Sequence, residues 1–146
     1  MAASRAFVGI AARSLAGLEP DVTLPQFRAL VVLASRGPQR SVDISTELGV
    51  AASTGARMCD RLVGKGLVTR SRSRTDRRTV RLRLSGPGRA LVEEVVRRRR
   101  RELSGIVGAT APLWSAEVVD ALQAFAATAG DVPEQDWWLG WADDRG

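Results

Sequence analysis

The chain has 146 residues, with 22 Lys or Arg against 16 Asp or Glu, a single cysteine and no histidine or tyrosine. That length and its apolar content suit one domain with a core; no apolar run approaches the roughly 20 residues that span a bilayer, and the stretch Met1 to Leu18 lacks the pattern of a signal peptide. The lone Cys59 excludes an internal disulfide framework and fits a reducing cytosol, while the missing histidine removes the commonest general base and metal ligand, so neither an enzyme nor a cofactor is expected.

Taken in order, residues 4 to 18 place Phe7, Ile10, Ala11, Leu15 and Leu18 at three- and four-residue spacing, which predicts a short amphipathic helix ended by Pro20 and Asp21. Thr23 and Gln26 have the spacing of a capping box. The helix they open, through Phe27, Leu30, Val31, Leu33 and Ala34, is apolar almost all round and is expected to be buried. Gly37-Pro38 breaks it. Ser41 is then expected to cap a third helix ending at Leu48, with Gly49 as the left-handed stop. A turn over 49–52 leads into a fourth helix that ends at Gly64-Lys65-Gly66. Leu67 to Arg72 reads as a strand, and residues 79–84 alternate strictly, giving one apolar and one basic face. Ser73 to Arg78 form the hairpin loop between them. Ser85-Gly86-Pro87-Gly88 opens a long helix, with proline in the first turn where its missing donor does no harm. Its predicted buried stripe is Leu91, Val92, Val95, Val96, Leu103, Ile106 and Val107. Pro112 stops that helix, and Ser115 starts a last one through Val118, Val119, Leu122 and Phe125. The tail from Gly130 is acidic and holds Trp137, Trp138 and Trp141.

Charge is unevenly placed along this plan. Between Ser53 and Arg89 eleven basic residues meet only Asp60 and Asp76, whereas residues 117–146 hold seven acids and Arg145. Such asymmetry points to a polyanion partner for the middle of the chain. Lys65 is the only lysine; a GC-rich genome accounts for that skew, although arginine's fork also suits phosphate and guanine. In the fourth helix, positions 53, 57, 61 and 65 form one polar line, and Met58, Cys59, Leu62 and Val63 close the opposite face. Ser53, Thr54 and Arg57 at its start suit base edges in the major groove of double-stranded DNA, and Arg61 and Lys65 suit phosphate. Arg74, Arg77 and Arg78 surround Asp76 in the hairpin loop, and a narrow minor groove would attract Arg77 or Arg78. The plain alternatives are a solvated helix face and a solvated loop. Arg97 to Arg101 wrap the long helix, with Glu93, Glu94 and Glu102 four residues from Arg97 or Arg98, and read mainly as a solvated, ion-paired surface. Cys59, on the apolar side of its helix, reads as packing rather than as a redox sensor. The tail tryptophans read as packing across a dimer or onto the first helix, ahead of docking another protein.

The order of elements resembles the MarR family of bacterial regulators. The resemblance is carried by "LPQFRALVVLA" (24–34), "LGVAASTGARMCDRLVGKGLVTR" (48–70) and "TDRRTVRLRLSGPGRAL" (75–91), and covers roughly residues 5 to 128. The last block contains Asp76-Arg77-Arg78, matching that family's Asp-x-Arg wing signature. What it implies is a winged helix-turn-helix, mainly α with a small β-hairpin wing. Residues 1–22 would form an N-terminal dimerisation helix, 23–90 the DNA-binding lobe, 91–130 the C-terminal dimerisation helices and 131–146 an acidic tail. It further implies an obligate homodimer on a pseudo-palindromic site, usually a cytoplasmic repressor, with Asp76 orienting a neighbouring arginine. A small-molecule or redox signal would alter DNA affinity; a small aromatic or other apolar effector would lie near Phe7, Ile10, Phe27 and Leu30, side chains that otherwise read as core.

Two positions depart from the family pattern. Ala51 stands where a capping serine or threonine is usual, leaving Ser53 to cap a shortened helix. Gly55 stands where a bulky apolar residue usually packs, at a cost of roughly 0.5–1 kcal/mol relative to alanine. A reading from a different class, a winged-helix protein-interaction module that never touches DNA, draws mild support from the tryptophan tail.

Overall fold

The computed structural model describes residues 1–72, 79–132 and 134–137. Its elements run α1 (Ala2–Leu15), α2 (Leu24–Arg36), α3 (Ser41–Leu48), α4 (Ala52–Gly64), β1 (Val68–Arg72), β2 (Val80–Leu84), α5 (Gly86–Ala109) and α6 (Ala116–Thr128). Short 3-10 turns follow α5 at Ala111–Leu113 and close the described tail at Glu134–Asp136.

At the centre is α2. Thr23 and Gln26 make the expected reciprocal cap: the Gln26 N–H donates to Thr23 Oγ1 at 3.4 Å, and the Thr23 N–H donates to Gln26 Oε1 at 3.1 Å. Phe27, Ala29, Leu30, Leu33 and Ala34 are buried, and α2 packs on α3, α4, α5 and β2. Each fully buried large side chain of this kind contributes roughly 1.5–3 kcal/mol. Together with Ile44, Leu62, Leu67, Val68, Leu82, Val92 and Val95, they form one continuous core.

Behind that core, β1 and β2 pair antiparallel with Val68 opposite Leu84 and Arg72 opposite Val80. Gln39 adds a bridge to Leu82, with N–H···O distances of 3.0 and 2.7 Å. The chain just after Gly37-Pro38 thus becomes a third short rung on the hairpin, a pairing that one residue's pattern could not disclose. Ser85 caps α5 by accepting from the Gly88 N–H at 3.0 Å, and its hydroxyl donates to the Gly66 carbonyl at 2.6 Å.

Several expectations need correction. Helix α1 ends at Leu15, short of Leu18, because Ala16 is extended and Gly17 is left-handed. The cap of α3 is Arg40, and Ser41 is the first helical residue. The Asp43 carboxylate accepts from the Arg40 N–H (3.1 Å) and from its guanidinium (2.9 and 2.7 Å). That charge-assisted contact holds Asp43 below its ordinary carboxylate value. The stripe of α5 is buried at Leu91, Val92 and Val95 only; Ile106 and Val107 are exposed. No residue of α6 is buried, and Val118, Val119, Leu122 and Phe125 lie 40% to 73% exposed.

The arginine run is also less uniformly solvated than its spacing suggests. Arg97 and Arg98 pair with Glu94 as expected. Arg98 also donates to the Ala16 carbonyl at 2.8 Å, and Arg13 pairs with Glu102 at 2.5 Å, so the run fastens α1 to α5. Arg99 turns inward: its Nε donates to Ser14 Oγ at 2.9 Å, and its guanidinium carbon lies 4.7 Å from the centroid of the Phe27 ring.

Candidate nucleic-acid interface

The helix-turn-helix is set by two glycines. Gly49 adopts φ 67° and ψ 34°, the left-handed stop that lets the chain turn after Leu48. Gly55 lies where α3 and α4 cross. A Cβ there would meet Ser45 Oγ at 1.9 Å and Ser45 Cβ at 2.9 Å. Gly55 therefore permits a close approach of the two helices, with buried Ser45 occupying the space beside it.

The start of α4 also differs from expectation. Ala51 is the N-cap, its carbonyl accepting from the Thr54 and Gly55 N–H groups at 2.9 and 3.0 Å. No side chain caps the helix, so Ser53 is not the cap but lies within the first turn. Its hydroxyl remains outward.

Met58, Cys59 and Leu62 are buried against the core, which fixes the rotation of α4 about its axis. Ser53, Thr54, Arg57 and Arg61 are consequently all exposed on the opposite face. Lys65 is separated from them: half-buried, it pairs with Asp21 Oδ1 at 3.1 Å and also donates to the Asp21 carbonyl. Arg70 on β1 pairs with Asp60 on α4 and so ties the hairpin to the helix. Arg72, Arg81 and Arg83 are exposed along the strands. The wing-tip positions Arg74, Asp76, Arg77 and Arg78 lie outside the described residues, as do Trp138 and Trp141.

Cys59 is 2% exposed, and burial, with Asp60 nearby, pushes its thiol above the ordinary value. A thiol of that kind is a packing group. Of the side chains proposed for an effector, Phe7 is exposed and Ile10 and Leu30 are core. Phe27 alone of the four lines the two cavities between α2, α5 and the segment after α6. Arg99, on the same cavities, escaped sequence reading because it is one of five identical neighbours. Its spacing gave a signal: it lies four residues from both Val95 and Leu103, on the buried stripe. Among the described residues, no cluster of acids, cysteine or histidine could hold a metal ion, and no helix is long and apolar enough to cross a membrane.

An exposed basic line on the second helix of a helix-turn-helix, braced by a basic hairpin, defines a winged helix-turn-helix protein. The model of the MarR family matches residues 22–80. Structure RV1404 from Mycobacterium tuberculosis is 40% identical, with a TM-score of 0.84 over 90% of this chain and 89% of that one. The chain belongs to the MarR family, whose members are transcriptional regulators rather than enzymes. The uncharacterised HTH-type transcriptional regulator YfiV of Bacillus subtilis is 35% identical over 44% of this chain, a match spanning only 41% of YfiV. BpsR of Bordetella bronchiseptica, whose DNA binding is regulated by 6-hydroxynicotinic acid, is 25% identical over 89% of each chain, with a TM-score of 0.63.

Proposed function

We propose that this protein is a homodimeric, DNA-binding repressor that recognises a pseudo-palindromic operator and is released from it by a small aromatic or other apolar effector. The observation that carries the DNA reading is the outer face of α4, where Ser53, Thr54, Arg57 and Arg61 are exposed beside the hairpin that Asp60 and Arg70 anchor. Arg57 reads base edges with Ser53 and Thr54, and Arg61 holds phosphate. Lys65 acts at the margin of the interface, since Asp21 already neutralises it. Arg74, Arg77 and Arg78, oriented by Asp76, complete the wing contact.

Dimerisation rests on a separate argument. A 13-residue helix is marginal in water without packing. Yet no residue of α6 is buried within its own chain, and Val118, Val119, Leu122 and Phe125 are exposed, as are Ile106, Leu113 and Trp114 before it. A second copy supplies the missing face, and two α4 helices then enter successive major grooves about 34–36 Å apart. Regulation by a small molecule draws support from BpsR and from the cavities that Phe27 lines.

Salt titration on random duplex tests the reading. If each protomer neutralises about four phosphates, the dimer's log K against log salt concentration falls with a slope of about −7. Salt-insensitive or undetectable binding would favour the interaction-module alternative instead.

A further inference from the structure

Residues 16–22, between α1 and the Thr23 cap of α2, are gripped at both ends by cations from other elements. Leu18 and Val22 anchor this connector in the core. At its start, Arg98 of α5 donates through Nη1 to the Ala16 carbonyl at 2.8 Å. At its far end, Lys65 of α4 donates through Nζ to the Asp21 carbonyl and, at 3.1 Å, to Asp21 Oδ1. Both carbonyls lie in irregular backbone, where main-chain acceptors must find partners outside a helix or sheet.

The first grip belongs to the α1–α5 contact. Glu94 Oε1 accepts from Arg98 Nε at 2.6 Å, which orients the guanidinium and leaves Nη1 for the C-terminal end of α1. A cation there also meets the negative end of the α1 dipole. Arg13 and Arg99 fasten the same end of α1 to α5, through Glu102 and Ser14 Oγ. The second grip is at the C-cap of α4. The Lys65 side chain is 26% exposed, and its amine is committed to a main-chain oxygen and a carboxylate, which leaves little for phosphate. Its ion-pair component is worth little alone, because the Asp21 side chain is 90% exposed. What matters is where the contact stands.

Arg57 lies two turns before Lys65, about 12 Å along the axis at the helical rise. A tilt of about 5° at the clamped end would move Arg57 by about 1 Å, whereas side chains that read a site must be held within about 0.5 Å. The opposite end of α4 has no side-chain cap to hold it. Ser85 also ties Gly66 to α5, but at the first turn of that helix; the connector reaches the half of α5 that packs on α1.

We propose that the connector carries the placement of the α1–α5 pair to α4, and that Arg98 and Lys65 are the positioning residues that clamp its ends. The inference rests on the reading that α4 meets DNA, and gives Lys65, marginal as a contact, a role in aiming Arg57.

Affinity of the full chain for a selected operator and for random duplex, each across a range of salt concentrations, tests the assignment. Lys65→Met keeps the aliphatic stem and removes the donor. It should lose about tenfold on the operator and less than about twofold on random duplex, with the parent's salt slope. A lysine that held phosphate would weaken both DNAs alike and flatten the slope by about 2, one contact per protomer. A variant that is merely less stable would also weaken both alike. Arg98→Met should show the same selective loss, and the double variant should be no more than about twofold beyond the weaker single variant, because both act through one connector. Arg101→Met, an exposed neighbour, controls for the lost charge and should leave both affinities unchanged. Light scattering and circular dichroism confirm that each variant keeps the parent's mass and fold. Should Lys65→Met unfold, Lys65→Gln, uncharged and one atom shorter, is expected to show the same selective loss. Without DNA, hydrogen exchange tests the transmission itself. Arg98→Met should speed exchange of the 61–65 amides at least about threefold, although Arg98 bonds to Glu94 and Ala16 and not to α4. Unchanged operator affinity in Lys65→Met, equal losses on both DNAs, or unchanged exchange in Arg98→Met overturns the inference. A parent that prefers no sequence refutes the reading of α4, and exchange then decides the connector by itself.

Discussion

Gly55→Ala is the sharpest test of how the recognition helix is seated. On propensity alone the change should stabilise α4 by roughly 0.5–1 kcal/mol, since glycine is a poor helix former. The structure reverses the sign. The new methyl would lie 1.9 Å from Ser45 Oγ, 2.9 Å from its Cβ and 3.2 Å from its backbone Cα, so rotating the hydroxyl away is not enough and α3 must move. Overpacking of a tight core contact costs typically about 1–3 kcal/mol, which exceeds the propensity gain. A net loss of about 1–2 kcal/mol corresponds to a fall in melting temperature of a few degrees for a chain of this size. Thermal and urea melts measure it, run at one fixed protein concentration because the stability of the proposed dimer would depend on concentration. Ser45→Ala removes the nearest of the three contacts, so the double variant should recover part of the loss. A Gly55→Ala protein as stable as its parent would show that the close crossing of α3 and α4 is not there.

Other outcomes follow from the same geometry. Leu122→Glu combined with Phe125→Glu places two charges on the bare face of α6 and should shift the mass in light scattering from a dimer to one chain of 15.7 kDa; a parent protein that is already monomeric would contradict the assignment of that face. The cap of α3 should show in pH dependence: folded Asp43 has a lowered pKa because Arg40 bonds to it, so its stabilising contribution is present above the ordinary value of 3.8 and is lost as pH falls through the lower folded value. The stability gap between parent and Asp43→Asn should accordingly close on acidification, and a gap constant from neutral pH to below 3.8 would refute the pairing. Cys59 should react with a thiol reagent only as fast as the protein opens, whereas rapid labelling of the native protein would contradict its reading as a packing group.

Sequence periodicity was most informative where one residue's environment is set by its own helix. The α4 face is an example: Met58, Cys59 and Leu62 point inward, so Arg57 and Arg61 point out, and both facts are visible in the spacing. The capping box at Thr23 and Gln26 is equally local. Contacts between distant segments left no such mark. Ser45 against Gly55, Gln39 on Leu82 and Lys65 on Asp21 each join residues whose pairing depends on how whole elements cross. The second half of α5 and all of α6 carry an apolar stripe like that of a buried helix, and nothing in a stripe says whether its cover comes from the same chain or another. Arg99 was obscured for a different reason, because five identical side chains hide the one whose position on the helix directs it inward.

If the outer face of α4 reads base sequence, affinity on selected and random DNA shows it directly. Fragments enriched from a random pool should share an inverted repeat. On that operator Arg57→Ala should lose about 1–3 kcal/mol and most of its preference over random duplex, while Arg61→Ala should weaken both to a similar extent. Equal losses on both DNAs for both variants would mean that α4 contributes only charge, and that the identity of the bound site is decided elsewhere in the protein.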